Sequence, residues 1–234
     1  MEYVIKLGGS VLTDKSREKT LSESFGDVTD TIPEDYSGTV VHGAGSFGHP
    51  PAERHGISEG SHTGVLETHR AIKDLNRKVI DRLRENNLKA LPVHPLSFAS
   101  IQDGDLDLRL SQLEAMVQEG FTPVIHGDGV ITPQKGFKAL SGDDILLEIA
   151  SRYDIRAGFC SSGPVLDSDG NIIEKVSSME EFPDLGTDGT DVTGGMKAKI
   201  RKILESGTEA RIFGPKDLET FLNGGDPGTQ VTRP

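Results

Sequence analysis

The 234-residue chain has one cysteine and no tryptophan. A single thiol, Cys160, excludes a disulfide framework and any cysteine-based zinc cluster. Positive charge is also scarce: 25 Lys and Arg stand against 37 Asp and Glu, a net charge of −12. Such a surface repels nucleic acid and anionic membranes, while leaving room for a local basic pocket that holds a small anion. No apolar run approaches the ~20 residues of a membrane span. Gly-Lys-Ser and Gly-Lys-Thr are both absent, which excludes the phosphate loop of the common nucleotide hydrolases. Met1-Glu2-Tyr3-Val4-Ile5-Lys6 reads as a strand and not as a signal peptide. A hydrophobic share of 34% lies well above that of a disordered chain. The expectation is a globular, cytoplasmic protein with a core of its own.

Short apolar runs punctuated by glycine predict strands at Tyr3–Leu7, Thr39–His42, Ala90–Val93, Phe121–His126, Arg156–Cys160 and Arg211–Phe213. Between Thr63 and Asn87, Val65, Leu66, His69, Ile72, Leu75, Val79, Ile80 and Leu83 recur at the three-and-four spacing of a core-facing helix. Further helices are predicted at Ser22–Thr31, Ser111–Glu119, Ile145–Tyr153, Met196–Glu205 and Leu218–Leu222. Pro50-Pro51 is expected to block a helix after the second strand. Val165–Lys175 reads as a hairpin and Thr229–Thr232 as an edge strand. Strands alternating with helices argue for an α/β fold with a largely parallel sheet. The division between its halves falls near residue 150, as a cleft within one domain.

Glycine-rich turns follow several of these strands: Gly8-Gly9, Gly43 to Gly48, Gly127-Asp128-Gly129 and, less directly, Gly142. Ligands bind at the carboxyl ends of parallel strands in open α/β sheets, and glycine lets backbone N–H groups approach an anion there. One such turn is explained by tight-turn chemistry alone; several at one sheet edge point to a phosphorylated ligand. Gly43-Ala44-Gly45-Ser46-Phe47-Gly48 has the three glycines of a dinucleotide loop, but it follows the second strand and meets two prolines, so a nicotinamide cofactor is not expected.

Lys6 sits between an apolar strand and Gly8-Gly9, an unusual place for a merely solvated lysine. Lys15, Lys197 and Lys216 also lie beside glycine turns, and read either as solvated loop lysines or as cations around a transferring phosphoryl group. His42, His49, His55, His62 and His69 lack the close helical pair of zinc hydrolases, so no protein-ligated metal is expected. His49 stands apart, following Gly48 at the mouth of a phosphate-type loop, where its ring can donate to phosphate. His62 and His69 read as core or as pocket lining.

Lys6-Leu7-Gly8-Gly9-Ser10, Val41 to Pro50, Pro123 to Asp128, Ser141-Gly142-Asp143-Asp144 and Asp191 to Lys197, in this order, resemble the amino acid kinase superfamily. Within it they are most similar to the isopentenyl phosphate kinases, and Ser46-Phe47-Gly48-His49 is the specific part of the match. The resemblance implies a three-layer αβα sandwich in a single domain, 1–234. Its first ~150 residues would hold the phosphoryl acceptor and residues from about 151 to 234 would hold ATP. It implies Lys6, Lys15, His49 and Asp144 as catalytic residues, with Asp144 orienting the lysines. It places Lys6, Gly8, Gly9, Ser10, Ala44, Lys197, Gly214 and Lys216 around ATP. Gly43, Gly48, His49 and Gly142 would hold the acceptor phosphate.

The implied reaction is transfer from ATP, with Mg²⁺, to isopentenyl phosphate in an archaeal-type mevalonate route, by a cytoplasmic homodimer. Another small-phosphate or phosphonate kinase of the same fold, or a nucleotide-binding regulatory domain without turnover, are the alternatives. The sequence departs from the family at four places, the first being a shorter stretch than usual between Lys15 and the second strand. Ala44 stands where glycine is usual, Ser161-Ser162-Gly163-Pro164 lacks an acidic pair, and Pro215 replaces a polar residue.

Overall fold

Tyr3–Leu7 forms β1, and its side chains serve two cores at once. Val4 packs on one face of the sheet, Ile5 and Leu7 on the other, and none is exposed. A strand buried on both faces belongs in the middle of a covered parallel sheet. In the computed structural model, which describes residues 2–54, 61–102, 105–132, 136–180 and 192–233, β1 holds that position. It pairs in parallel with β2 (Gly38–His42) on one side and β9 (Arg156–Cys160) on the other.

Beyond β2 lie β6 (Thr122–His126) and then β3 (Ala90–Val93). Beyond β9 lie β11 (Ala210–Phe213), β12 (Thr229–Val231) and β10 (Lys175–Val176). Only the β11–β12 pairing in this eight-stranded sheet is antiparallel. Thr229–Val231 is therefore not the expected edge: Lys175–Val176 pairs along its far side, and Thr229 and Val231 are fully buried.

Helices cover both faces. On one lie α1 (Gly9–Leu12), α2 (Phe25–Asp30), α4 (His62–Glu85) and α9 (Leu218–Leu222), contributing Leu12, Val28, Leu75, Val79 and Phe221 to the core. On the other lie α6 (Ser111–Gln118), α7 (Gly142–Tyr153) and α8 (Val192–Ser206), with Leu113, Ile145, Ile149, Ile200 and Ile203 inward. The result is the expected αβα sandwich. The α4 stripe runs through Thr68, Ile72, Leu75, Val79 and Leu83, and Leu66 falls off it at 68% exposure. Two small hairpins were not expected: β4 (Ala99–Gln102) with β5 (Asp105–Leu108), after the short α5 (Pro95–Phe98), and β7 (Asp128–Thr132) with β8 (Gly136–Leu140). The predicted 165–175 hairpin reduces to a single bridge, Leu166 to Ile172, closed by an Asp167 turn.

Pro50 and Pro51 do not block a helix; they lie inside α3 (Gly45–Arg54). A proline ring removes the N–H that would bond to the carbonyl four residues back. For Pro50 that carbonyl belongs to Ser46, and the Lys19 N–H takes it at 3.1 Å from the neighbouring loop. The tertiary contact replaces the helical bond that Pro50 removes.

Candidate active site

At the carboxyl edge the sheet's hydrogen bonding continues one rung past the strands. Ser161 N–H donates to the Phe213 carbonyl, Gly8 to Cys160, Gly43 to Leu7 and Gly127 to His42, all at 2.8–3.0 Å. These bonds pin four strand-to-loop turns at one level. The glycine loops at the ends of β1 and β2 then meet backbone to backbone. A Cβ on Gly9 would lie 2.6 Å from the Gly45 nitrogen, so no side chain fits there. Gly45 itself has φ +50°, the left-handed region that glycine enters without strain, and opens α3.

Lys6 is a buried cation of this edge, 8% exposed. As the residue two past Val4 it faces α7, where its Nζ lies 2.6 Å from Asp143 Oδ1. Lys199, from α8, approaches the same oxygen at 3.9 Å and lies with its Nζ 5.1 Å from the Phe159 ring centroid. Burial alone would raise the Asp143 carboxyl; Lys6, Lys199 and Lys202 outweigh it and hold the group below its usual range. Burial, with Lys6 nearby, pulls the Lys199 ammonium down to about 8. Gly142 gives Lys6 its room, because a Cβ there would sit 3.0 Å from Lys6 Cε.

Asp144, expected to orient the lysines, is engaged elsewhere. Ser141 is the N-cap of α7, and Asp144 at the third helical position closes a capping box with it. The Ser141 hydroxyl accepts from the Asp144 N–H at 3.2 Å, and Lys202 Nζ lies 2.7 Å from Asp144 Oδ1. The carboxylate one position earlier is rotated by about 100° around the helix and faces β1. Asp143 therefore takes the place on Lys6 that was expected for Asp144. Lys199 and Asp143 are the residues that the sequence reading missed.

The remaining candidates spread along the same edge. Gly8, Gly9 and Ser10 form the turn into α1, and Ser10 is exposed. Lys15 is exposed near the tip of a small loop closed by the Thr13–Leu21 bridge. The Asp14 carboxylate accepts from the Ser16 hydroxyl and N–H and from Arg17, bonds that bring it down to about 2 and shape that tip. Gly43 and Ala44 lie half-buried after β2; Gly48 is buried in α3 and His49 beside it is exposed. Lys197 is half-buried on α8. Gly214 follows β11 beside Gly163, and Lys216 is exposed in the 3-10 turn Pro215–Asp217. Pro215 is at the first position of that turn, where no N–H is needed. His62 is exposed, whereas His69 Nδ1 lies 2.5 Å from Asp128 Oδ2 beside the β6 turn. His55 and Asp191 lie outside the described residues.

A doubly covered parallel sheet, glycine turns along its carboxyl edge and buried lysines around one carboxylate define a phosphate-handling α/β protein. The chain belongs to the amino acid kinase family, whose pattern it matches over residues 1–213. It is 45% identical to the isopentenyl phosphate kinase of Haloferax volcanii, with 97% of each chain covered. It is 30% identical to the isopentenyl phosphate kinase of Methanothermobacter thermautotrophicus, with 98% of each covered. A crystal structure of an isopentenyl phosphate kinase superposes with a TM-score of 0.81 at 25% identity, covering 98% of this chain and 99% of that one.

Proposed function

We propose that this chain transfers the terminal phosphoryl group of ATP to isopentenyl phosphate, giving isopentenyl diphosphate and ADP. The observation that carries the reading is the Lys6–Asp143–Lys199 cluster beneath the glycine turns, in a chain 45% identical to a kinase of that name. Both reactants are anions, so the barrier lies in bringing negative charge together and not in making a nucleophile. Positioning and cations lower such a barrier, and no general base is required.

In this reading the chain divides near residue 150, which puts β2, β6 and β3 on one side of the central β1 and β9, β11, β12 and β10 on the other. Gly43, Gly48, His49 and Gly142, on the β2 and β6 side, hold the acceptor phosphate. Gly8, Gly9 and Ser10 at the centre, Ala44 after β2, Lys197 on α8, and Gly214 and Lys216 after β11 hold ATP. Lys6 and Lys15 neutralise the oxygens of the group in transit, and Asp143 keeps Lys6 and Lys199 aimed at it. Among the described residues no three His, Cys, Asp or Glu side chains gather as a metal site. In this reading Mg²⁺ arrives on the nucleotide, since Mg²⁺ keeps several waters and takes phosphate oxygens readily. When bound it would neutralise charge on the ATP phosphates.

No described helix is long and apolar enough to cross a membrane. A cytoplasmic setting suits the single buried Cys160, whose thiol burial pushes up to about 12. The test of function is ADP release with ATP, Mg²⁺ and a panel of acceptors: isopentenyl phosphate, other small phosphates and phosphonates, free isopentenol and amino acids. Turnover with isopentenyl phosphate well above the rest is expected; ATP binding without turnover on any of them overturns the assignment.

A further inference from the structure

His42 and His126 end neighbouring strands in register, and neither is exposed. Each ring turns back on the carbonyl that follows it. His42 Nδ1 lies 3.0 Å from the Gly43 oxygen, and His126 Nδ1 3.3 Å from the Gly127 oxygen. A carbonyl only accepts, so Nδ1 carries the proton in both rings. Burial holds them neutral, pulling His42 down to about 4 and His126 to about 2. The other nitrogen, Nε2, is then an acceptor. In His42 it faces Asn76 Nδ2 of α4 at 3.0 Å, and Asn76 is 2% exposed. In His126 it faces His94 Nδ1 at 2.9 Å. Two strand ends thus carry the same device: a neutral imidazole clipped to its next carbonyl and held from behind by a donor.

The clip at His42 has a consequence one atom further along. In a planar trans peptide, the Gly43 oxygen and the Ala44 N–H point in opposite directions. Holding the oxygen toward His42 turns the Ala44 N–H away from it. The Gly43 N–H is taken by Leu7, and the Ala44 carbonyl accepts from Phe47 and Gly48. The Ala44 N–H has no acceptor among the described residues. It belongs to the loop that meets Gly9, at the phosphate edge of the sheet.

We propose that His42 and Asn76 are positioning residues: they lock the Gly43–Ala44 peptide so that the Ala44 N–H stands ready to donate to an anionic phosphoryl oxygen. The identity of that oxygen rests on the kinase reading; the clip itself does not. With no Cβ at Gly43 to restrict that side of the peptide, the clip is what holds its orientation. The charged and titratable groups around His42 are few. Lys6 of β1, paired with Asp143 of α7, disfavours its protonation. His126 of β6 stands with its ring centroid 5.8 Å away, backed by Asp128 at 4.0 Å and His94. The polar side chain from α4 is Asn76.

Two measurements on the full chain test the proposal. In protein labelled with ¹⁵N-histidine, with His42 assigned by loss of its signals in His42→Gln, Nδ1 is expected to be protonated and Nε2 bare at pH 7. The opposite tautomer, or an imidazolium, overturns the clip whatever reaction the protein catalyses. The second uses Asn76→Asp, which replaces a donor with an acceptor. Its carboxylate forces a proton onto Nε2. At low pH the ring carries both protons and the clip survives. As pH rises one proton leaves, and the remaining one stays with the carboxylate, the stronger acceptor. The kcat of Asn76→Asp with isopentenyl phosphate should therefore fall by about tenfold or more on the alkaline side, relative to the wild-type profile, as expected for losing one preorganised donor. A pH profile parallel to wild type, even at uniformly lower activity, overturns the positioning role. If Asn76→Asp does not fold, the wild-type tautomer decides alone. A wild-type protein with no turnover on any phosphate acceptor, yet with the predicted tautomer, would reject the kinase reading and keep the clip.

Discussion

Lys6 Nζ and Asp143 Oδ1 meet at 2.6 Å across the gap between the central strand and the first turn of α7, with both side chains largely buried. Removing one partner of such a pair leaves a buried charge uncompensated. Asp144, its chain neighbour, caps the same helix and pairs with a half-exposed Lys202. The two aspartates should therefore fail differently. Asp143→Asn is expected to lower turnover by about 10²-fold, through misdirected lysines. Asp144→Asn is expected to cost about 1 kcal/mol of stability, the value of a helix cap, with turnover within a few-fold of wild type. Steady-state kinetics and chemical denaturation on both variants check this, and equal kinetic effects would contradict it.

Lys199 is held below its ordinary range mainly by burial, with its value near 8. A cation whose folded pKa lies below its unfolded value, about 10.4, costs stability wherever it must stay charged. That cost is fully present below pH 8 and fades as pH rises toward the unfolded value. Lys199→Met should then raise thermal stability at pH 7 by roughly 1–2 kcal/mol, after the loss of its attraction to Asp143. The gain should shrink as pH rises from about 8 to about 10. Turnover should fall by about 10²-fold in the same variant, since the charge serves the transferring group. A variant both less stable and fully active would refute the assignment.

Lys15 offers a contrasting case, because it sits exposed near a loop tip and not in the sheet. Lys15→Ala should leave the melting temperature unchanged, while Lys6→Ala should shift it. Both should lose about 10²-fold in turnover if each aims a charge at the transition state. Near-full turnover in Lys15→Ala would remove that residue from the catalytic set.

The parts of the fold most legible in the sequence were those whose burial is simplest. Val4, Ile5 and Leu7 form an unbroken apolar run because both faces of β1 are covered, and the same holds for Val40 and Val41 in β2. α4 showed in its periodicity, and its edge slipped only at Leu66, where the helix rotates out of the core. α3 was hidden because the bond that Pro50 removes is replaced by Lys19, a contact that no local pattern reveals. The β7–β8 hairpin was hidden because Val130 faces the core while Ile131 faces out, so apolar residues fall on both sides. In the site, the glycine turns and Lys6 were readable from their placement. Lys199 was passed over for Lys197, yet Met196, Lys199, Ile200 and Ile203 share the buried stripe of α8, and a lysine on such a stripe is the signal. Ser141 followed three residues later by Asp144 likewise spelled a capping box, which left Asp143 for the lysines.

Acid should unfold this protein through its buried histidines. His42 and His126 have folded pKa values of about 4 and about 2, against an unfolded value near 6.5. Below pH ~6.5 the unfolded chain binds protons that the folded one refuses, so stability falls as pH drops. Each histidine contributes a slope of up to about 1.4 kcal/mol per pH unit between roughly pH 6 and pH 4. Urea denaturation across that range should show the drop, and His42→Gln should flatten it by about one proton. An unchanged slope in His42→Gln would mean that the ring is protonated in the folded state.

The last prediction concerns His49 and the choice of acceptor. His49 is exposed on α3, directly after buried Gly48, on a helix whose amino end opens at Gly45 against the β1 turn. A kinase acting on a free alcohol has no need of a donor there. One acting on a monophosphate must hold a dianion close to the negatively charged ATP, and an imidazole N–H beside helix-start N–H groups suits that task. His49→Ala should therefore lower kcat/KM for isopentenyl phosphate by about 10²-fold, and His49→Gln, which keeps a donor, by less. The weak turnover of free isopentenol should be nearly the same in wild type and His49→Ala, because the alcohol presents no phosphate for the ring to hold. Measuring the three enzymes against both acceptors separates contact with the acceptor phosphate from general damage to the helix. Equal losses on the two acceptors would mean that His49 supports α3 and not the substrate, and a fully active His49→Ala would remove it from the site.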